Sequence, residues 1–199
     1  MTSVERMHVQ PVLGQIQEHV RQAVWAGFEA PDAIVAGIVE LMDDQIDPLI
    51  LKPQVRRLVQ EELQHQLIEQ ATWPEVTDCD RLDAAFRALE LAGIICRQNF
   101  SCCGTCGVID IWEEMDNAQA LKRSVRGYAF YHMQDTEQAL DGNGLFLNYG
   151  SIEDGEAPAL AVGYEIVAAL EQHGLETSWN GEWSRRIGII MRWQRRRKL

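Results

Sequence analysis

Residues 77–100 read TDCDRLDAAFRALELAGIICRQNF, and this stretch decides the fold. Thr77 is placed to cap the free N–H groups of a helix, and Asp78 and Asp80 fall in its positive first turn. Leu82, Phe86 and Leu89 recur at helical spacing as the buried stripe, and Gly93 stops the helix. Ile94 to Phe100 then reads as a strand. A capped amphipathic helix emptying through a glycine into a short apolar run is a unit of a sheet protein with packed helices, and the chain downstream repeats the alternation. Val108 to Arg123 reads as a helix, although Val108, Ile109, Ile111, Trp112 and Met115 also allow a short strand first. Tyr128 to Met133 reads as a strand, and Asp135 as the cap of a short helix reaching Leu140. The Asp-Gly-Asn-Gly turn at 141–144 leads into a strand from Leu145 to Tyr149. Pro158 to His173 is a helix with Val162, Ile166, Val167 and Leu170 inward, ended by Gly174. Two last strands, Leu175 to Trp179 and Ile187 to Trp193, flank the Asn180-Gly181 turn signal. Such an order predicts an α+β fold with a mixed sheet rather than a sandwich or a bundle.

Upstream the period changes. Val12, Ile16, Val20, Val24 and Phe28 recur at helical spacing, followed by Ile34, Val35, Ile38, Leu41 and Met42, then by Val55, Leu58, Val59 and Leu67. Pro31, Pro48 and Pro53 punctuate three helices, and Trp73-Pro74 marks the passage onward. The expected organisation is a small helical module over 1–72 and an α+β domain carrying a cysteine cluster over 73–199. Glu61, Glu62, His65 and Glu69 share a helix face at a spacing that suits either a metal or solvent.

Composition bounds the partners. The 199 residues are 46% hydrophobic and 24% charged, enough to bury a core, with a formal charge of -12. Seven of the eighteen positive charges lie in the last fifteen residues, so the rest is more acidic than the total indicates. An acidic body repels phosphate backbones, which argues against nucleic acid as a partner and leaves room for a protein partner. The basic tail from Arg195 to Lys198 reads as a solvated, frayed end, with an electrostatic hook as its alternative. No apolar run nears the roughly 20 residues of a membrane helix, and Met1 to Gly14 lacks a secretory pattern, so no membrane is expected and the cytoplasm is the expected compartment.

Five cysteines, an odd number with three of them in five positions, are no disulfide framework. The segment Asn99-Phe-Ser-Cys-Cys-Gly-Thr-Cys-Gly107 puts Cys102, Cys103 and Cys106 together. A Cys-x-x-Cys turn lets two sulfurs converge on one ion, and a glycine after it leaves room for backbone N–H groups to face the sulfur. This is half of a zinc site, and no second Cys-x-x-Cys supplies the rest. If the strands ending at Phe100 and Met133 are parallel neighbours, their ends share one sheet edge, which brings His132 toward the cluster as a further ligand, as a base, or as a packed strand-end histidine. The same spacing at a helix start lowers a thiol pKa in disulfide oxidoreductases, whose active-site motif it resembles, with Thr105 where that motif carries proline. Cys79 and Cys96 read as structural. Tyr128, Tyr131, Trp179, Trp183 and Trp193 are candidates for a pocket lining or for core. A glycine-rich phosphate loop, a serine nucleophile elbow and a His-Glu-x-x-His motif are absent from the sequence.

Three blocks, TDCDRLDAAF at 77–86, RQNFSCCGTCG at 97–107 and GYAFYHMQDTE at 127–137, resemble a bacterial domain-of-unknown-function family marked by such an Asn-Phe-x-Cys-Cys-x-x-Cys-Gly segment. The resemblance covers about 73–196. It implies that the cysteine loop and the His132 segment belong to one domain, with the helical front outside it. Three readings of function stand at this point: a cysteine-based site for a metal, zinc by preference, or a thiol site; a non-catalytic binding or regulatory protein; and a thiol-disulfide reductase using Cys103 and Cys106.

Overall fold

A computed structural model describes residues 3–121 and 124–197, with backbone alone over 3–11. The chain divides into two compact units, 1–74 together with 195–199, and 75–194.

The first unit holds three helices, α1 (Ser3–Ala26), α2 (Pro31–Leu41) and α3 (Pro48–Gln70). Pro31 and Pro48 each open a helix, where the missing N–H costs nothing. Pro53 punctuates nothing: it lies inside α3, and the helix runs on through it. Ile16, Val20 and Val24 of α1 pack with Ile34, Val35 and Ile38 of α2 and with Leu51, Val55 and Val59 of α3. Arg197 lies against this bundle. Its guanidinium donates to Val24 O at 2.9 Å, Ala23 O at 3.2 Å and Glu29 O at 2.7 Å, and its Nε to Gln66 Oε1 at 3.0 Å. Arg195 stacks over Phe28 with its guanidinium carbon 4.4 Å from the ring centre. The frayed-tail expectation is thereby corrected for Arg195 to Arg197: a cation at the carbonyl end of α1 satisfies acceptors the helix cannot. Lys198 lies outside the described residues.

In the second unit, α4 (Asp78–Leu91) begins as its sequence dictates. Thr77 Oγ1 accepts from Asp80 N at 3.2 Å while Asp80 Oδ2 accepts from Thr77 N at 2.8 Å, a reciprocal capping box. Gly93, at φ +86°, turns the chain into β1 (Ile94–Arg97). The rest follows as α5 (Gly104–Ala120), β2 (Gly127–Phe130), α6 (Met133–Leu140), β3 (Leu145–Ser151), α7 (Glu156–Gln172), β4 (Glu176–Ser178) and β5 (Ile187–Ile190). The α+β class and the element order agree with the sequence reading. Several strands are shorter than their apolar runs, β1 ending at Arg97 and β2 at Phe130. Val108 opens no strand; α5 starts four residues earlier, inside the cysteine segment. Of the Val108 to Arg123 helix expected, the Arg123 end lies outside the described residues.

The sheet runs β1-β2-β3-β5-β4, with β1 and β2 parallel and the other pairs antiparallel. Tyr128 and Phe130 point to one face and pack on Ile111 and Met115 of α5. The opposite face meets α4 and α7: Tyr131 touches Phe86, with ring centres 6.2 Å apart, and Val162 lies over Gly127. The β1–α5–β2 crossover between parallel strands is what carries both strand ends, and the segments leaving them, to one edge of the sheet.

Candidate functional site

The chain leaves β1 through two left-handed residues, Asn99 at φ +50° and Ser101 at φ +60°. Asparagine tolerates that region and serine does so less readily, so the turn is held from outside. Beyond the end of the strands, Phe100 N donates to Tyr131 O at 2.8 Å and Met133 N to Ser101 O at 3.2 Å. Side chains reinforce this seam: Tyr131 Oη donates to Gln98 Oε1 and Thr136 Oγ1 to Asn99 Oδ1, each at 2.8 Å. The loop that carries the cysteines is therefore stitched to the segment that carries His132.

Cys103 is the N-cap of α5, in extended conformation, and Cys106 lies in the first helical turn. A helix winds Cys106 back under Cys103, and Cys102 adds a third sulfur from the loop. The three Sγ atoms lie within 4.8 Å of one another, Cys102 exposed and the other two half-buried. The start of α5, its Cys106 N–H first, together with the neighbouring thiols favours the thiolate of Cys103 and lowers its pKa below the ordinary thiol value. Cys106 responds oppositely: facing Cys102 and Cys103, it is pushed up to about 11. The glycine after the motif has a different purpose from the one its sequence suggested. A β-carbon on Gly107 would stand 2.5 Å from Phe130 Cε2, so Gly107 lets the first turn of α5 lie directly on β2.

His132 is buried, and it caps α6 rather than Asp135, which falls three residues later. Asp135, also buried, accepts at Oδ2 from His132 N at 3.1 Å and from Arg186 Nη2 at 2.5 Å, and His132 Nε2 lies 3.1 Å from the same oxygen. Arg186 also donates to Phe146 O and lies over the Phe146 ring. Burial lowers the pKa of His132, Arg186 adds to the fall, and Asp135 opposes it. Nδ1 of His132 is buried without a partner. The imidazole lies against α5: a β-carbon on Gly104 would stand 3.6 Å from its Cδ2 and Nε2. His132 is not one of the atoms converging within 4.8 Å, and the cysteines form that group among the described residues without it.

Sequence reasoning passed over Asp135 as more than a cap and Arg186 altogether. Asp135 had a signal, an acidic residue three after a strand-end histidine; Arg186, fifty-one residues further on, had none. The other candidates disperse. Cys79 is buried and accepts from Gln194 N at 3.4 Å, while burial, reinforced by Glu90, pushes the Cys96 thiol far up. Tyr128, Tyr131 and Trp193 are core, Trp179 packs on Tyr149 and Tyr164, and Trp183 is exposed. Glu61 pairs with Arg57 and Glu62 accepts from Trp25 Nε1, so the Glu61–His65 face gathers no metal group.

Residues 10–197 match the family described as Domain of unknown function (DUF6891), and the chain belongs to that family. The match begins at residue 10, which corrects the expectation that the helical front lies outside it. No curated protein and no solved structure matches the chain. No helix among the described residues is long and apolar enough to cross a membrane.

Proposed function

We propose that the chain is a thiolate metal-binding protein in which Cys102, Cys103 and Cys106 hold one ion, zinc by preference. The observation that carries this reading is the convergence of three sulfurs within 4.8 Å. Zn–S bonds of about 2.3 Å at a tetrahedral centre set sulfurs roughly 3.8 Å apart, a separation the cluster reaches with small movements. Thiolates are soft ligands that favour zinc over magnesium or calcium, and the place of Cys103 at the start of α5, beside two other thiols, already favours its deprotonated form. Binding would release the thiol protons, so affinity falls as the medium is acidified. None of the five cysteines is in a disulfide, which suits a reducing compartment such as the cytoplasm. A site of this kind serves equally in a protein that binds or regulates a protein partner.

The test is elemental analysis of the full chain purified under reducing conditions from zinc-supplemented cells. About one zinc per chain is expected, lost in the Cys103→Ser, Cys106→Ser double variant. Metal-free wild type would overturn the reading.

One observation favours a second reading, the place of Cys103 as N-cap of α5 with Cys106 in its first turn. As a thiol-disulfide reductase, Cys103 thiolate attacks a disulfide sulfur of a partner protein, and one partner sulfur leaves as thiolate. Cys106 then attacks the Cys103 sulfur of the mixed disulfide; the partner departs as a dithiol and the Cys103–Cys106 disulfide is re-reduced by a cellular dithiol. A metal-free chain with a measurable Cys103–Cys106 couple near the cytosolic poise supports this alternative, and a couple far below that poise excludes it.

A further inference from the structure

We propose that this centre is an open site: the chain supplies three sulfurs and keeps the fourth position for a donor from outside, the neutral imidazole of a histidine on a protein partner. The inference rests on the thiolate-metal reading. A tetrahedral zinc ion with three protein ligands takes its fourth from water or from an incoming molecule, whereas a purely structural zinc is closed by four side chains. Cys102, Cys103 and Cys106 form the converging group, and among the described residues no further histidine, cysteine or carboxylate joins it.

The histidine across the seam is engaged elsewhere. His132 turns its Cδ2–Nε2 edge toward Gly104, and Nε2 lies 3.1 Å from Asp135 Oδ2. That oxygen also accepts from His132 N at 3.1 Å and from Arg186 Nη2 at 2.5 Å. The Nε2 edge and the carboxylate thus hold each other, and neither side chain belongs to the sulfur group. The cysteine segment itself lies at the surface. Cys102 is exposed, and so is Thr105 between the other two cysteines, so the group borders solvent.

Charge selects the donor. A zinc ion with three thiolates carries one net negative charge, and a fourth thiolate would make it two. The helix that holds Cys106 in its first turn, α5, bears Asp110, Glu113, Glu114 and Asp116 and neither lysine nor arginine, Glu114 being paired with Arg97. Those carboxylates oppose a further negative charge at the centre, and an imidazole adds none. Three sulfurs and one imidazole are an ordinary ligand set for zinc. A partner histidine that completes the centre makes docking depend on the metal, because the partner then binds the loaded chain and not the empty one.

X-ray absorption at the zinc edge tests this on the zinc-loaded full chain, reduced with a phosphine so that no thiol is present in the buffer. Three sulfurs at about 2.3 Å and one light atom at about 2.0 Å, without the outer-shell scattering of an imidazole, are expected, and His132→Gln should give the same shell. Added imidazole should bring in that outer-shell scattering, at about one ring per zinc. A capped Gly-His-Gly peptide should do the same and Gly-Ala-Gly should not. In the cobalt-loaded chain, imidazole should move the ligand-field bands at a lower concentration than 2-mercaptoethanol at neutral pH. Imidazole scattering before any addition, a shell of four sulfurs, or a shell that ignores added imidazole overturns the open site and leaves the thiolate reading standing. A thiol that enters ahead of imidazole, or a histidine peptide that does not enter, overturns the assignment of the donor. A chain that takes up no zinc sinks the thiolate reading itself.

Discussion

Replacing Gly107 by alanine tests whether the cysteine helix is seated on the sheet by that glycine. The added β-carbon would lie 2.5 Å from Phe130 Cε2, 2.9 Å from Cζ and 3.3 Å from Cδ2. Phe130 cannot swing aside: it has no exposed surface, and Phe100 and Tyr128 hold it at centroid distances of 5.8 and 6.0 Å. Either the first turn of α5 lifts or the ring leaves its rotamer, and overpacking of this kind costs about 1–3 kcal/mol. A 2.5 Å contact with a fixed ring puts the cost in the upper part of that range, about 2–3 kcal/mol; alanine recovers up to about 1 kcal/mol of helix propensity, leaving a net loss of about 1–2 kcal/mol. For a chain of this size that loss lowers the melting temperature by roughly 2–8 °C. The control is Gly104→Ala in the same turn, where the nearest atoms stand at an ordinary 3.6 Å from the new carbon. Urea unfolding followed by tryptophan fluorescence, with thermal melts, should show Gly107→Ala destabilised and Gly104→Ala within about 0.5 kcal/mol of wild type. Equal stability of the two variants, or a gain at 107, would refute the packing argument.

The other expectations concern the docked terminus and the thiols. Arg197→Ala leaves the carbonyls of Ala23, Val24 and Glu29 and the buried Gln66 without their donor; a loss of about 1–3 kcal/mol is expected, read as faster amide exchange in the helical unit, and unchanged exchange would restore the frayed-tail reading. Alkylation of the metal-free native chain should label Cys103 first and spare Cys79 and Cys96 until unfolding. Because the folded pKa of Cys103 is lowered, its labelling should persist as pH falls below the ordinary thiol range, whereas Cys106, at about 11, should react only at alkaline pH. Mass spectrometry of the labelled peptides checks the order, and Cys106 reacting ahead of Cys103 at neutral pH would contradict it.

Much of this was legible in the sequence because it is local. Thr77 and Asp80 cap a helix through atoms three residues apart, Gly93 ends it by a dihedral only glycine adopts without strain, and Cys102, Cys103 and Cys106 are brought together by one turn of chain. The nearness of His132 to the cysteine loop depends instead on the parallel pairing of β1 and β2, which joins residues more than thirty positions apart. Strand ends were less legible, since an apolar run continues past the last ladder bond wherever the residues beyond it are buried for other reasons, as Tyr131 is.

By itself, then, the sequence determined the α+β class, the order of elements and the place of the thiols, all properties of neighbouring residues and their hydrogen bonds. Tertiary structure alone decided the strand order, the seating of Gly107 on Phe130, the docking of Arg195 and Arg197 and the meeting of Asp135 with Arg186. Each of these joins positions tens of residues apart, where the outcome depends on how apolar faces are buried together and on which buried polar group finds a partner. No spacing along the chain encodes that choice, because it is made by packing in three dimensions.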